Sequence, residues 1–399
     1  MTIADYAARF RPQGAGMTAA PVATGTRRGA VATDPLLVAS ALALAAVGVV
    51  AVYASTRQQL MLQGIDPHYL MKHQIEYAIV GTVVMAVMAR IDYHLLENVS
   101  WIVYGLLLAS LLATFVIGSQ ALGAVRWIQF GPVQVQPSAF GAVLLTVVIA
   151  AYCSRTSQIG GRQYLTWKDL GVILLVSLIP ILLVIKQPDL GSGMVMLVVL
   201  LVMLVVGGLP NRYTVLLVIA GALAAFAAIK LGLLHHYQLQ RLTSFVGSSK
   251  SSSAAYNAQQ SKAAIGSGGL FGTGLFHGMQ VNLAYLPEAQ TDFIFSVIGE
   301  ELGFIGAVVV LGLSGIVVWR MARIARAARD LLGKVLVAGC IALVGFSVFE
   351  NAGMAVGIMP VAGIPLPFVS YGGSALVAFF LAVGIALSVR ARTGRLPRV

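Results

Sequence analysis

Ten apolar runs, separated by short polar breaks, set the architecture of this chain: 35–56, 70–89, 97–118, 137–153, 168–185, 190–208, 213–232, 291–319, 333–357 and 370–390. Each is near the roughly 20 residues that an α-helix needs to cross about 30 Å of hydrocarbon. Gly and Pro soften several of the ends. The pattern predicts an all-α integral membrane protein of about ten transmembrane helices. One polar stretch departs from the rhythm, residues 233–292, between the seventh and eighth runs. It is rich in Gly, Ser and Gln and closes on Leu286-Pro287-Glu288-Ala289-Gln290-Thr291-Asp292. Loops of that length are functional or unstructured, and the density of motifs in this one favours function.

Composition agrees with the pattern. Charged residues are 10% of the 399, against about 25% in a soluble domain, and mean hydropathy is +0.89. With the N-terminus placed inside, 18 of the 26 Lys and Arg residues fall in inner segments. The positive-inside rule therefore predicts both termini in the cytoplasm and the 233–292 loop outside, between helices seven and eight. Residues 1–34 read as a disordered cytoplasmic tail, 35–392 as one membrane domain and 393–399 as a short cytoplasmic tail. The net charge of +12 suits inner loops facing anionic lipid headgroups. No nucleic-acid motif accompanies it, so nucleic acid is not expected as a partner. Cys153 and Cys340 both lie in apolar runs and do not suggest a disulfide framework.

The candidate chemistry gathers in the outer segments. Asp292 stands at the start of the eighth run, where a carboxylate either caps the helix or takes a proton from an attacking hydroxyl; Glu288 is the nearby alternative. Arg126, Lys186, Arg241, Lys250 and Lys262 are outward cations. Singly they are interfacial anchors, as Trp127 beside Arg126 suggests; gathered in one cleft they suit an anionic headgroup such as a pyrophosphate. Lys186 and Asp189 share a Pro/Gly turn and read either as a local ion pair or as functional groups at the membrane surface. Gln260, Ser261 and Lys262 precede a Gly-rich segment whose glycines permit close backbone approach to a bound chain. That segment lacks the ending of a nucleotide P-loop. Glu350 and Asn351 lie within the ninth run, where a Glu is costly and reads as a cavity group or one half of an ion pair. Glu300 and Glu301 raise the same question in the eighth run. Arg320, Arg323 and Arg326 read as a basic inner helix end.

Several segments together resemble the SEDS family (shape, elongation, division and sporulation). They are Gly123-Ala124-Val125-Arg126-Trp127-Ile128, Gln136-Pro137-Ser138, Gln187-Pro188-Asp189-Leu190-Gly191, Arg241-Leu242-Thr243-Ser244-Phe245 and Gln260-Ser261-Lys262 through Gly274. Leu286-Pro287-Glu288 through Gly303 and Gly363-Ile364-Pro365-Leu366-Pro367-Phe368 through Ser374 complete the set. The resemblance covers nearly all of 35–392. Ser261-Lys262 followed by Ile265-Gly266-Ser267-Gly268-Gly269 is similar to the rod-shape, RodA-like branch, since division-type relatives more often carry Arg near Ser267.

The resemblance implies a peptidoglycan glycosyltransferase that polymerises lipid II into glycan on an undecaprenyl carrier, outside the cytoplasmic membrane. It implies a class B penicillin-binding protein, a transpeptidase, as partner. It makes Asp292 the family's essential loop aspartate and the candidate base, with Arg126, Trp127, Lys186, Asp189, Arg241, Gln260, Ser261, Lys262 and Glu288 as candidate substrate contacts. Glu350, Asn351, Ser370 and Tyr371 are candidate cavity-lining residues, and a divalent cation, Mg or Mn, is a possible bridge between pyrophosphate and Asp292. The chain also departs from the family. Ala139 and Ala142 stand where relatives commonly carry a Glu and a Lys, and Glu350 stands where they usually carry Gln, so that an acid is expected to return to the cavity at Glu350. Two alternatives remain at this level. Ten spans with broken helices and intramembrane acids also suit a lipid II flippase or other transporter, and a non-catalytic scaffold for the transpeptidase is the third possibility.

Overall fold

A computed structural model describes residues 34–121, 124–131, 133–160, 165–232, 253–283 and 285–393. Arg241, Lys250, residues 1–33 and 394–399 and the first third of the long loop lie outside these residues. Ten long helices follow the ten apolar runs: α1 Pro35–Leu62, α2 Tyr69–Arg90, α4 Ser100–Ile117, α5 Pro137–Gly160, α6 Trp167–Lys186, α7 Leu190–Val206, α8 Asn211–Lys230, α12 Gly303–Ala327, α13 Leu331–Val356 and α14 Gly373–Thr393. Short helices stand between them: α3 Tyr93–Asn98, α9 Ser253–Gly268, α10 Met279–Asn282 and α11 Ile294–Glu301. Seven of the long helices are long and apolar enough to cross a membrane: α1, α4, α5, α6, α12, α13 and α14. The 17 residues of α7 rise only about 25 Å at 1.5 Å each. In α8 the apolar part is Asn211–Leu223, and α2 opens with Lys72 and Glu76.

α5, α13 and α14 are the most buried of the spans, and α7 packs against α5 and α13 at their centre. α14 makes its most extensive contact with α2. Small residues let these two approach: a Cβ at Gly384 would come within 2.9 Å of the Met85 carbonyl, and one at Gly81 within 2.4 Å of the Phe380 ring. Without a hydrophobic difference between lipid and Leu, close approach of this kind is what drives helix association in a bilayer. Cys153 and Cys340 are free and buried.

Two segments differ from the sequence-based expectation. The outer segment after α4 is not a plain loop but a small antiparallel sheet, order β1–β2–β3, of Ser119–Ala121, Ala124–Phe130 and Val133–Val135. The register pairs Ile128 with Val135 and Phe130 with Val133. The eighth apolar run is two helices rather than one. Gly303 takes φ +67 and ends α11 against α12, a backbone conformation that costs little only for Gly. The Gly-rich segment after α9 crosses this break: a Cβ at Gly272 (φ +84) would lie 2.1 Å from the Glu301 carbonyl oxygen. At Gly272, as at Gly268, the missing side chain admits the chain's own backbone. The same segment covers Glu300 and Glu301, with the Gln280 N–H donating to Glu300 Oε1 at 2.8 Å.

Candidate active site

At the end of the bundle where the 118–136, 186–189, 257–292 and 359–372 segments meet, the helices enclose a cavity of about 380 Å³. Its mouth is polar and its floor, Ser347 apart, apolar. Arg126 and Trp127 reach it from β2, Gln136 and Ser138 from the start of α5, and Asp189 and Ser192 from the start of α7. Asn257 enters from α9, Glu288, Thr291 and Asp292 from the turn before α11, Tyr371 from the turn before α14 and Ser374 from the start of α14. Below them Ala139, Ala142, Val195, Leu343, Ser347 and Phe379 form the floor.

The two aspartates are held differently. Asp189 is buried and caps α7, its Oδ1 accepting the Ser192 N–H at 3.2 Å. Its Oδ2 accepts from Ser138 Oγ at 2.8 Å, Ser192 Oγ at 2.9 Å and Gln136 Nε2 at 3.1 Å. A carboxylate with that many donors is a fixed joint between α5 and α7. Asp292 is half-buried and stands on a turn tied down through its backbone. The Asp292 N–H donates to the Glu288 carbonyl at 3.1 Å, and Asn351 Nδ2 donates to the Asp292 carbonyl at 2.8 Å. Glu288 has φ +52, a left-handed conformation rare outside Gly, and its Oε2 accepts from Thr291 Oγ1 at 3.2 Å.

Hydrogen bonds from the 366–371 turn shape the rim. Ser370 Oγ donates to the Thr291 carbonyl at 2.6 Å and accepts the Leu366 N–H at 2.8 Å. The Tyr371 N–H donates to the Gln290 carbonyl at 2.8 Å. Burial raises the Tyr371 phenol above its ordinary range, helped by the neighbouring Tyr77, so it stands in the cavity as a neutral hydroxyl. Arg126 donates through one terminal nitrogen to the Pro188 carbonyl, while its buried Nε makes no hydrogen bond. A buried guanidinium N–H without an acceptor is costly, and its place on the cavity wall makes an anion the natural acceptor.

The remaining predicted residues that the structure describes do not line the cavity; Arg241 lies outside the described residues. Ser261 is fully buried, donating to the Ala355 carbonyl at 2.7 Å and facing Ser296 Oγ at 2.6 Å, so it joins α9 to α13. Lys262 is exposed and packs along Gly357, where a Cβ would lie 3.0 Å from its Cδ. Lys186 is exposed at the end of α6, and Gln260 is half-buried on α9. Glu350, Asn351 and Ser370 are buried behind the wall, and of the four predicted lining residues Tyr371 alone reaches the cavity. Glu350 therefore does not return an acid to the space beside Ala139 and Ala142. Among the described residues no three His, Cys, Asp or Glu side chains gather into a metal site.

A family model described as cell cycle protein, that of FtsW, RodA and SpoVE, matches residues 34–394. The chain belongs to this family. It is 35% identical over 358 residues to the peptidoglycan glycosyltransferase MrdB of Escherichia coli K12, covering 89% of this chain and 93% of that one. Its fold matches a chain of a peptidoglycan synthase complex in which polymerization and crosslinking are coordinated, at TM-score 0.76 and 29% identity, covering 91% and 99% of the two chains. It also matches the rod shape determining protein RodA of Thermus thermophilus, at TM-score 0.67 and 28% identity, covering 91% and 98%. This FtsW/RodA/SpoVE member is thus a multi-pass membrane protein whose cavity is built largely from the segments carrying the family resemblance. Asn257, Thr291 and Ser374 were not singled out from sequence. All three lie within or beside quoted motifs, and proximity to Asp292 or to the 363–374 turn was the available signal.

Asn351 ties three parts together, since Nδ2 also donates to the Ile364 carbonyl at 2.7 Å. Asn351→Leu keeps the volume but leaves two buried carbonyls without their donor. The expected cost is about 1–3 kcal/mol, read as a lower apparent Tm in detergent, whereas exposed Lys262→Ala should leave Tm nearly unmoved.

Proposed function

We propose that this family member is a peptidoglycan glycosyltransferase that polymerises lipid II at the outer face of the cytoplasmic membrane during cell elongation, with Asp292 as general base. The observation that carries this reading is the sharing of one cavity by Asp292 and Arg126, a carboxylate offered from a fixed turn and a guanidinium with a spare buried N–H. The sidedness follows from the basic inner segments.

The 4-hydroxyl of an acceptor sugar attacks C1 of the donor sugar, and the C1–O bond to undecaprenyl pyrophosphate breaks. The hydroxyl proton passes to the Asp292 carboxylate, and the electron pair leaves with the pyrophosphate. A new β linkage from an α-linked donor needs a single inverting displacement, so one base suffices in place of the two-carboxylate covalent scheme. Asp189, saturated with donors, holds α5 and α7 in register around the reaction, and Arg126 stabilises the charge that develops on the leaving group. The apolar floor below is suited to the first isoprene units. A divalent cation would be held by the Asp292 and Glu288 carboxylates with pyrophosphate oxygens, the hard-donor set that Mg or Mn takes with few protein ligands. It would supply charge neutralisation of the leaving group. The partner we infer is a class B penicillin-binding protein, which the likeness to a chain of a synthase complex supports.

The test is polymerisation of lipid II by purified full-length protein, with and without its cognate transpeptidase, read as glycan length on a gel. Polymer from wild type and none from Asp292→Ala is the expected result. Equal polymer from both removes Asp292 as base. No polymer under any condition, together with protein-dependent movement of lipid II across vesicles, replaces the reading with transport.

A further inference from the structure

We propose that the outer half of α2 is a carbohydrate track: the rings of Tyr69, His73 and Tyr77 bind the glycan strand at the cavity rim by stacking against its sugar faces. The inference rests on the polymerase reading and adds a polymer-binding subsite to it.

Tyr69, His73 and Tyr77 recur every fourth residue and so share one helix face. Tyr69 and His73 have ring centroids 4.6 Å apart, and His73 and Tyr77 6.3 Å. The next step leaves the helix: Tyr77 and Tyr371 are 6.2 Å apart, and Tyr371 lines the cavity that holds Asp292. The rings are therefore continuous from the reaction space to Tyr69, which is 48% exposed. Eight residues of helix rise about 12 Å, enough for a sugar unit to lie along the face.

The two ends of the track differ in freedom. The Tyr77 ring lies against Gly373, where a Cβ would come within 2.8 Å of it, so the inner ring is fixed beside the rim. The outermost ring, Tyr69, is open and His73 is partly exposed, with polar groups beside them: Glu76 Oε2 lies 3.6 Å from His73 Nδ1, and Lys72 Nζ 2.7 Å from Asp66 Oδ2. A pyranose carries its C–H bonds on one face and its hydroxyl and acetamido groups at the edge. An aromatic ring with an electron-rich face and a polar tip matches both. An interfacial Tyr belt is the ordinary reason for such residues. A belt keeps rings at one depth on many helices, whereas these descend two turns of a single helix and end at the cavity.

The probe is a lipid-free octasaccharide of alternating N-acetylglucosamine and N-acetylmuramic acid, titrated against full-length protein in detergent by saturation-transfer NMR. Wild type is expected to bind, and the double variant Tyr69→Ala/His73→Ala to bind roughly tenfold more weakly. Phe271→Ala, which removes another exposed outer ring, is expected to bind as wild type does. No binding to wild type, equal binding by the double variant, or an equal loss in Phe271→Ala overturns the track. The titration forms no bond and uses no lipid-linked donor, so a wrong assignment of Asp292 leaves its outcome readable.

Discussion

Asp292→Asn is expected to lower the rate of lipid II polymerisation by about 10²–10⁴-fold, the usual contribution of a positioned general base. The change keeps the shape of the side chain and removes its ability to take the hydroxyl proton. The turn that presents residue 292 is held through that residue's own backbone, its N–H donating to the Glu288 carbonyl at 3.1 Å and its carbonyl accepting from Asn351 Nδ2 at 2.8 Å. The variant should therefore fold as the wild type does, and lipid II affinity should change far less than turnover. A loss seen only in kcat identifies an interaction made in the transition state, whereas a loss confined to KM identifies ground-state binding.

Glu288 gives this prediction its control. It lines the same cavity, but its Oε2 already accepts from Thr291 Oγ1. Glu288→Gln is expected to cost less than Asp292→Asn. If Glu288→Gln abolished turnover while Asp292→Asn kept a tenth or more of it, the roles of the two carboxylates would have to be exchanged.

How much of this was legible in the sequence depended on which physical signal carried it. Ten apolar runs were enough to find ten long helices, because a helix in lipid must satisfy its backbone internally and cannot be hidden by tertiary context. The motif at 286–292 and the Gln136-Pro137-Ser138 and Asp189 segments led to the cavity, since their polar groups converge there. Three features were obscured. The strands at 119–135 are too short for their alternation to stand out in a polar segment. The break between α11 and α12 rests on one left-handed Gly inside an apolar run. The burial of Ser261 is hidden by the polar composition of 253–268, which reads as part of the long loop. As the helix α9, its spacing sends Ser261, Ala264 and Gly268 inward and Lys262 outward. Glu350 was misplaced for the same kind of reason. It is on α13 with Ser347 and Leu343, yet it lies behind the wall they form, a distinction of a few ångströms that periodicity cannot make.

Asp34→Ala is expected to destabilise the protein by about 3–5 kcal/mol, the cost of leaving one member of a buried ion pair alone. The sequence placed Asp34 at the end of a tail and Arg320 in a basic helix end; the structure brings them together. Arg320 Nε donates to both carboxylate oxygens, at 3.0 and 2.9 Å, and a terminal nitrogen donates at 2.6 Å. Asp34 is 2% exposed, so solvent screening is slight. The same carboxylate caps α1, accepting the Leu37 N–H at 3.1 Å, and Asp34→Asn separates the two roles. The amide can still accept from Leu37 and loses only the charge, so its apparent Tm should fall between wild type and Asp34→Ala. The pair anchors the start of α1 to α12. Further along α1, Gly48 approaches the Val369 carbonyl, where a Cβ would lie 2.6 Å away. Val369 belongs to the turn that carries Ser370 and Tyr371 to the cavity rim. Loosening the pair should therefore lower turnover as well as Tm, with Asp34→Leu/Arg320→Leu recovering part of both, because no lone charge remains buried. A double variant as impaired as Asp34→Ala would mean that the helix cap, rather than the ion pair, holds α1 in place.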